Sequence, residues 1–177
     1  MKKVLVSFAF TLFFLSACAF SEAPEPMCPL VVLEKSTADA VYFKDGGGKG
    51  VIDRVMEVRL MGYKGSCEYN KDHTELTFTL NAEFEAELGA AAKSRKQKFS
   101  YFVAVPQFYP EDKAKQVFTV EVDFPQGVDM LKYRDEPLEI NIPVKASENG
   151  KDFQVYIGMQ LDKNMLEYNR TLNRYQY

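Results

Sequence analysis

Leu76, Phe78, Leu80, Ala82, Phe84, Ala86 and Leu88 alternate without a break with Glu75, Thr77, Thr79, Asn81, Glu83, Glu85 and Glu87. A period of two over that length predicts one long strand with one face in a core and one in water. Its outward row of Glu and Thr keeps that face soluble and is of the kind that discourages pairing at a sheet edge. From residue 51 onward the rest of the chain reads as β as well. Met56, Val58 and Leu60 face in while Glu57 and Arg59 face out, and beyond Met61-Gly62 the apolar phase moves to Tyr63, Cys67 and Tyr69. One extra residue produces that shift, so a β-bulge is predicted near Gly62. Phe99, Tyr101, Val103 and Val105 form a strand whose other face carries Phe102 and Ala104, and a strand apolar on both sides belongs in the middle of a sheet. Phe118, Val120, Val122 and Phe124 alternate with Thr119, Glu121 and Asp123, with the polar stretch 109–115 as the turn before them. Leu138, Ile140, Ile142 and Val144 follow, and Pro143 points to an edge position. Asn149-Gly150 is a hairpin signal leading into Phe153, Val155, Ile157, Met159 and Leu161.

With a first strand over 30–34, about seven strands at regular turn spacing are expected. This pattern fits an all-β fold, an immunoglobulin-like antiparallel β-sandwich, better than any α/β arrangement, with an up-and-down barrel as the alternative. The chain has no Trp, so the likeness is architectural and does not extend to the antibody core. Asp162 can cap a short helix from Lys163 to about Arg170, packing Met165, Leu166 and Tyr168 on the sandwich. The domain is expected over 28–170, with 171–177 as a flexible tail.

The N-terminus follows different rules. Lys2 and Lys3 precede an apolar run that ends in Leu15-Ser16-Ala17-Cys18, which looks like the lipobox of a bacterial lipoprotein signal peptide. The run is about 14 residues, short of the roughly 20 that a spanning helix needs. A plain secretory signal cut after Ala17 is the other reading. The lipobox makes residues 1–17 a signal peptide and Cys18 the acylated first residue of the mature chain. Multiple acyl chains anchor a protein stably where one does not. Ala19 stands where Asp would favour the inner membrane, which points to the outer membrane and its periplasmic side. Residues 18–27, with Pro24 and Pro26, read as a tether reaching up to roughly 25 Å when extended.

Removing residues 1–17 leaves 160, suited to one domain with a real core. The same cut takes two lysines, leaving 20 basic residues against 25 acidic ones and a formal charge of −5. Mild acidity without a basic stripe argues against a nucleic-acid partner. Of the three cysteines, Cys18 is assigned to the lipid, leaving Cys28 and Cys67 for one disulfide in an oxidising compartment. Two buried free thiols are the alternative. With a single histidine and no Cys-x-x-Cys spacing, no metal site is expected.

Chemistry-bearing motifs are sparse. The run 45–50, Asp-Gly-Gly-Gly-Lys-Gly, lacks the spacing and the following helix of a phosphate loop and reads as a turn. His73 lies in a polar turn with no nucleophile signature beside it, and reads as an exposed loop residue rather than a general base. Glu83, Glu85 and Glu87 repeat at about 6.5 to 7 Å along one strand face, a spacing that could serve acid and base roles but also that of a solvated face. No catalytic residue, cofactor or enzymatic activity is therefore expected. Aromatic side chains are the better lead to a partner site, namely Phe108 and Tyr109 beside Pro110 in a loop and Tyr175 and Tyr177 in the tail.

Taken together, the segments 28–33 (Cys-Pro-Leu-Val-Val-Leu), 43–46 (Phe-Lys-Asp-Gly), 65–67 (Gly-Ser-Cys), 101–105 (Tyr-Phe-Val-Ala-Val) and 168–170 (Tyr-Asn-Arg) give the chain a family likeness. It resembles an uncharacterised family of small alphaproteobacterial outer-membrane lipoproteins. The resemblance implies location and fold and carries no mechanism, and its Cys28 and Cys67 contexts fit a disulfide. The function expected is a lipid-anchored periplasmic interaction module that docks an envelope-assembly or cell-wall-linking protein. The alternative is a carrier or chaperone for a small apolar ligand or lipid, which a large apolar pocket would favour over a filled core.

Overall fold

The computed structural model describes residues 27–173. Cys18, the signal peptide, the tether up to residue 26, Tyr175 and Tyr177 lie outside the described residues. Among the described residues there are nine strands, β1 (Leu30–Leu33), β2 (Asp39–Phe43), β3 (Arg54–Tyr69), β4 (Glu75–Leu88), β5 (Lys96–Ala104), β6 (Lys115–Asp123), β7 (Met130–Arg134), β8 (Leu138–Pro143) and β9 (Gln154–Met159), followed by one α-helix, α1 (Lys163–Asn173). They form an all-β sandwich. One sheet runs β1-β9-β5-β6, and the other runs β2-β3-β4 with β7 and β8 both paired to β4.

The period-two segments behave as the alternation dictates. In β4 every inward residue from Leu76 to Ala86 is buried. The register of β3 on β4 slips between Leu60 and Gly62, placing the predicted bulge at Met61. β5 is bonded to β6 on one side and β9 on the other, as a strand apolar on both faces should be. β8 pairs only with β4, with Pro143 opposite Glu75 at its end.

Three expectations change. Nine strands are described where about seven were expected, because β2 and β7 are five residues each and too short to show a period. β4 is interior to its sheet, with β3 along one side and β7 and β8 along the other. β1 pairs with β9 in parallel, so the sandwich is not wholly antiparallel. Its strand path also departs from the immunoglobulin order, in which the first, second, fourth and fifth strands share a sheet. Asn149-Gly150 is no hairpin, since β8 and β9 belong to different sheets. Asn149 instead caps a 3-10 turn, accepting from the Lys151 amide at 3.1 Å while its own amide donates to Asp152 at 2.9 Å. A type I′ hairpin needs positive φ at both central residues, whereas Asn149 sits at φ −143°. Gly150 is required for a different reason: a Cβ there would lie 1.8 Å from the Met27 carbonyl oxygen.

Asp162 caps α1 as expected, its carboxylate accepting from the Met165 amide at 2.8 Å. The helix continues to Asn173, so residues 171–173 are helical rather than part of a tail. Buried Asn169 donates to the carbonyls of Ser36 at 3.1 Å and Asp39 at 2.6 Å, which fixes α1 along the outer side of β2. Among the described residues no helix is long and apolar enough to cross a membrane.

Between the sheets, Phe84 of β4 meets Phe99 and Tyr101 of β5 with ring centroids 5.0 and 5.1 Å apart. Tyr101 stacks in turn on Phe118 at 5.2 Å. The Tyr101 hydroxyl donates to Asp135 at 2.6 Å, Tyr133 donates to the other oxygen at 3.1 Å, and the Asp135 amide bonds Ala82. Burial, reinforced by the Asp135 carboxylate, pushes the Tyr101 pKa well above the ordinary tyrosine value. The proton therefore stays on Tyr101 and the sheets are tied by a charge-assisted bond inside the core.

Candidate interaction surface

Fourteen residues of β4 span roughly 45 Å at about 3.3 Å each, which sets the two ends of the sandwich far apart. Met27 leads into the near end. There the Gly150 amide donates to the Tyr69 hydroxyl at 2.9 Å, Val144 bonds Thr74, and Gln107 reaches Asp152. Cys28 is joined to Cys67 with Cα atoms 5.5 Å apart, so the expected disulfide is present and links the start of β1 to β3 across the two sheets.

The far end is assembled from three connections. The loop after β4 folds back on β3, with Gly89 and Ala91 amides donating to Val55 and Arg54. Arg95 donates to the Phe124 carbonyl at 2.8 Å and to Asp129 at 2.9 Å, which secures the β6–β7 loop, and Leu88 bonds the Asp129 carbonyl. The glycine-rich loop between β2 and β3 is closed by an ion pair from Lys44 to Asp53 at 2.7 Å. That hydrogen bond from Lys44 holds the Asp53 carboxyl below the usual carboxylate range, with the amides of Gly50 and Gly48 adding to it. The amides that a phosphate would need are thus already turned to the chain's own carboxylate, consistent with a turn.

Apolar side chains stand out from this end. Val51 is 74% exposed and Ile52 76%, and across the end Met130 is 54% and Val128 39% exposed. Several of the charges around them are paired within the fold, Arg54 with Glu57 and Glu87, Arg95 with Asp129 and Lys44 with Asp53. An open cleft of about 260 Å³ lies beside the glycine-rich loop, walled by Tyr42, Phe43, Met165 and Tyr168. Tyr168 closes it from α1, edge-on to Phe43 at 5.5 Å and under the Lys49 ammonium at 5.3 Å.

The residues singled out from sequence are dispersed. Phe108 is 8% exposed, because a 3-10 turn closed by its own amide on Val105 tucks the ring into the core. It is therefore not available to a partner. Tyr109 is 83% exposed but sits at the near end, beyond β5. His73 is exposed in its turn at φ 53°, against the Tyr69 ring. The carboxylate row of β4 is matched by arginines, Glu83 with Arg134 at 2.6 Å, Glu85 with Arg59 at 3.6 Å and Glu87 with Arg54 at 2.8 Å, an arrangement for holding strands together on a wet face.

Compared with family models, curated proteins and solved structures, the chain matches none of them. Its surfaces are what remains to indicate function. The far-end apolar residues do not stand out in the sequence, where Val51 and Ile52 read as the start of a strand. In the fold they form a 3-10 turn ahead of β3. A signal was present: two adjacent β-branched residues cannot both face inward on a strand, and the glycine run before them already breaks the period.

Proposed function

We propose that this protein is a lipid-anchored periplasmic interaction module of the outer membrane, held by acyl chains on Cys18 and docking an envelope-assembly or cell-wall-linking protein through the far end of its sandwich. The observation that carries this reading is the exposure of four aliphatic side chains, Val51 and Ile52 on one side and Val128 and Met130 on the other, at the end opposite Met27. An anchor preceding Met27 leaves that end directed away from the bilayer. Because the arginines beside these side chains, Arg54 and Arg95, are internally paired, the partner this end suits presents an apolar surface. A carrier for an apolar ligand is less well supported. The inward side chains of both sheets, Phe78, Phe84, Phe99, Tyr101 and Phe124 among them, fill the space between the sheets with one another.

A photo-crosslinking residue in place of Ile52, introduced in cells, is expected to capture one envelope protein. Val51→Asp with Ile52→Asp is expected to abolish that capture without altering the melting temperature, as substitutions at exposed positions seldom do. Capture that survives both changes would remove the far end from the reading. The anchor is tested separately. Cys18→Ser is expected to move the protein from the membrane fraction to the soluble fraction and to eliminate acyl mass on the mature chain; retention in the membrane fraction with an acyl group would overturn the lipobox reading.

A further inference from the structure

The two sheets have four outer margins, formed by β1, β6, β2 and the β7–β8 pair, and three of them are short, covered or interrupted. β1 is only four residues long. β2 is flanked by α1, whose Asn169 side chain takes up the Asp39 carbonyl. The margin beyond β4 is split between β7 and β8, broken by the inward turn at Asp135 and by Pro137, and ends at Pro143. β6 is different. It runs nine residues without proline, and among the described residues its only strand partner is β5.

The register shows what that margin offers. Val105 donates to Ala114 and Phe124 donates to Arg95, immediately beyond the two ends of the β5–β6 ladder. In an antiparallel ladder, hydrogen-bonded and non-hydrogen-bonded pairs alternate. The even-numbered residues of β6 therefore turn their amides and carbonyls to β5. Lys115, Val117, Thr119, Glu121 and Asp123 turn theirs outward. Five donors and five acceptors stand in a row along an open strand, the arrangement that accepts another strand.

The side chains indicate which strand fits. The strand is basic at its start, Lys115, and acidic at its end, Glu121 and Asp123, with Thr119 at its centre. A second copy laid antiparallel about a two-fold axis through Thr119 puts Thr119 against Thr119 and brings Lys115 of each copy opposite Asp123 of the other. All five outward residues then find outward partners, since odd positions meet odd positions. Val117, 52% exposed, and the half-buried Phe118 gain cover in the same step. Lys115 reaches only over the Phe102 ring at 4.5 Å, and Asp123 meets Lys96 at a loose 3.7 Å, so both charges remain able to pair. Glu121 is neutralised by Lys98 at 3.0 Å and brings no unpaired charge against Val117.

We propose that two copies of this chain associate edge to edge through β6, joining their four-stranded sheets into one continuous sheet of a two-fold dimer. The pairing is independent of the far-end docking surface and of the anchor. An interface of one strand pair is smaller than the roughly 1,600 Å² typical of stable complexes, so the dimer is concentration dependent and suits copies confined to one surface.

The test uses the full-length protein purified in detergent. Thr119→Cys is expected to give a covalent species of twice the chain mass with a short bis-maleimide, because directly opposed residues of a hydrogen-bonded pair lie about 5.5 Å apart at Cα. Lys98→Cys, a strand further from the axis, is expected to stay single. Sedimentation equilibrium is expected to show a monomer–dimer equilibrium that Thr119→Pro abolishes, since it deletes an outward amide and no backbone bond to β5; Thr119→Val, which loses only the same hydroxyl bond to Ser100 at 2.9 Å, is expected to keep the dimer. Lys115→Asp and Asp123→Lys are each expected to weaken the dimer at least tenfold, and the double exchange to restore it. A monomer at every concentration, a dimer indifferent to the charge exchange, or a Thr119→Cys protein that gives no species of twice the chain mass would each overturn the proposal.

Discussion

Phe84→Ala is expected to lower the unfolding free energy by about 3 to 5 kcal/mol. The ring is buried between the two sheets, touching Phe99 and Tyr101 across the interior. Its neighbours on the same face of β4 are Ala82 and Ala86, which have no side chain long enough to swing into the space. A site lined by alanines on one side and by rings held by other contacts on the other relaxes little, and the cost rises with the cavity left behind. Tyr101 is the reason the rings cannot follow, since its hydroxyl is committed to Asp135. For a domain of this size such a loss is a large share of a total near 5 to 15 kcal/mol, and it should depress the melting temperature by about 10 °C. Urea titration followed by tyrosine fluorescence measures it directly. A loss under about 1 kcal/mol would mean that the interior closes around the gap and is less tightly specified than the side-chain contacts indicate.

Alternation is a local property, so β4, β5, the bulge at Met61 and the edge position of Pro143 were legible in the order of residues alone. Their partners were not. Which strand lies beside β4 depends on contacts between distant segments, and its Glu row, which suits an exposed margin, instead meets arginines from both adjoining strands, Arg54, Arg59 and Arg134. The same limit explains Asn149-Gly150. The dipeptide favours a tight turn in any context, but here the chain must cross from one sheet to the other, and the Asn side chain is used as a cap. Phe108 was misplaced because an aromatic residue beside Tyr109-Pro110 reads as a loop tip, while the turn that buries its ring is set by Val105 and Pro106. The interaction surface was hardest to see. Val51, Ile52, Val128 and Met130 are separated by more than seventy residues along the chain and share an end only because β3, β4 and β7 are paired.

Loss of the Cys28–Cys67 bridge is the second large effect, and its origin lies in the unfolded chain. The bridge spans 39 residues, and in the chain-entropy description closing a loop of that length removes about 4 kcal/mol of denatured-state freedom. The loop contains β1, β2 and most of β3, so the constraint falls on the segment that must leave one sheet, form the margin of the other and return. β1 has the most to lose. It is four residues long and held to the sandwich by a single parallel pairing with β9, and parallel pairs are slightly weaker per residue than antiparallel ones. Cys28→Ser with Cys67→Ser is therefore expected to destabilise the domain by roughly 3 to 4 kcal/mol and to expose β1 first. Hydrogen exchange should show lost protection at Leu30 and Val32, the β1 amides turned to β9, before β4 or β5 change. Uniform loss across both sheets would mean that β1 is integral to a single cooperative unit. Unchanged stability would mean that the pairing with β9 holds the N-terminal segment by itself.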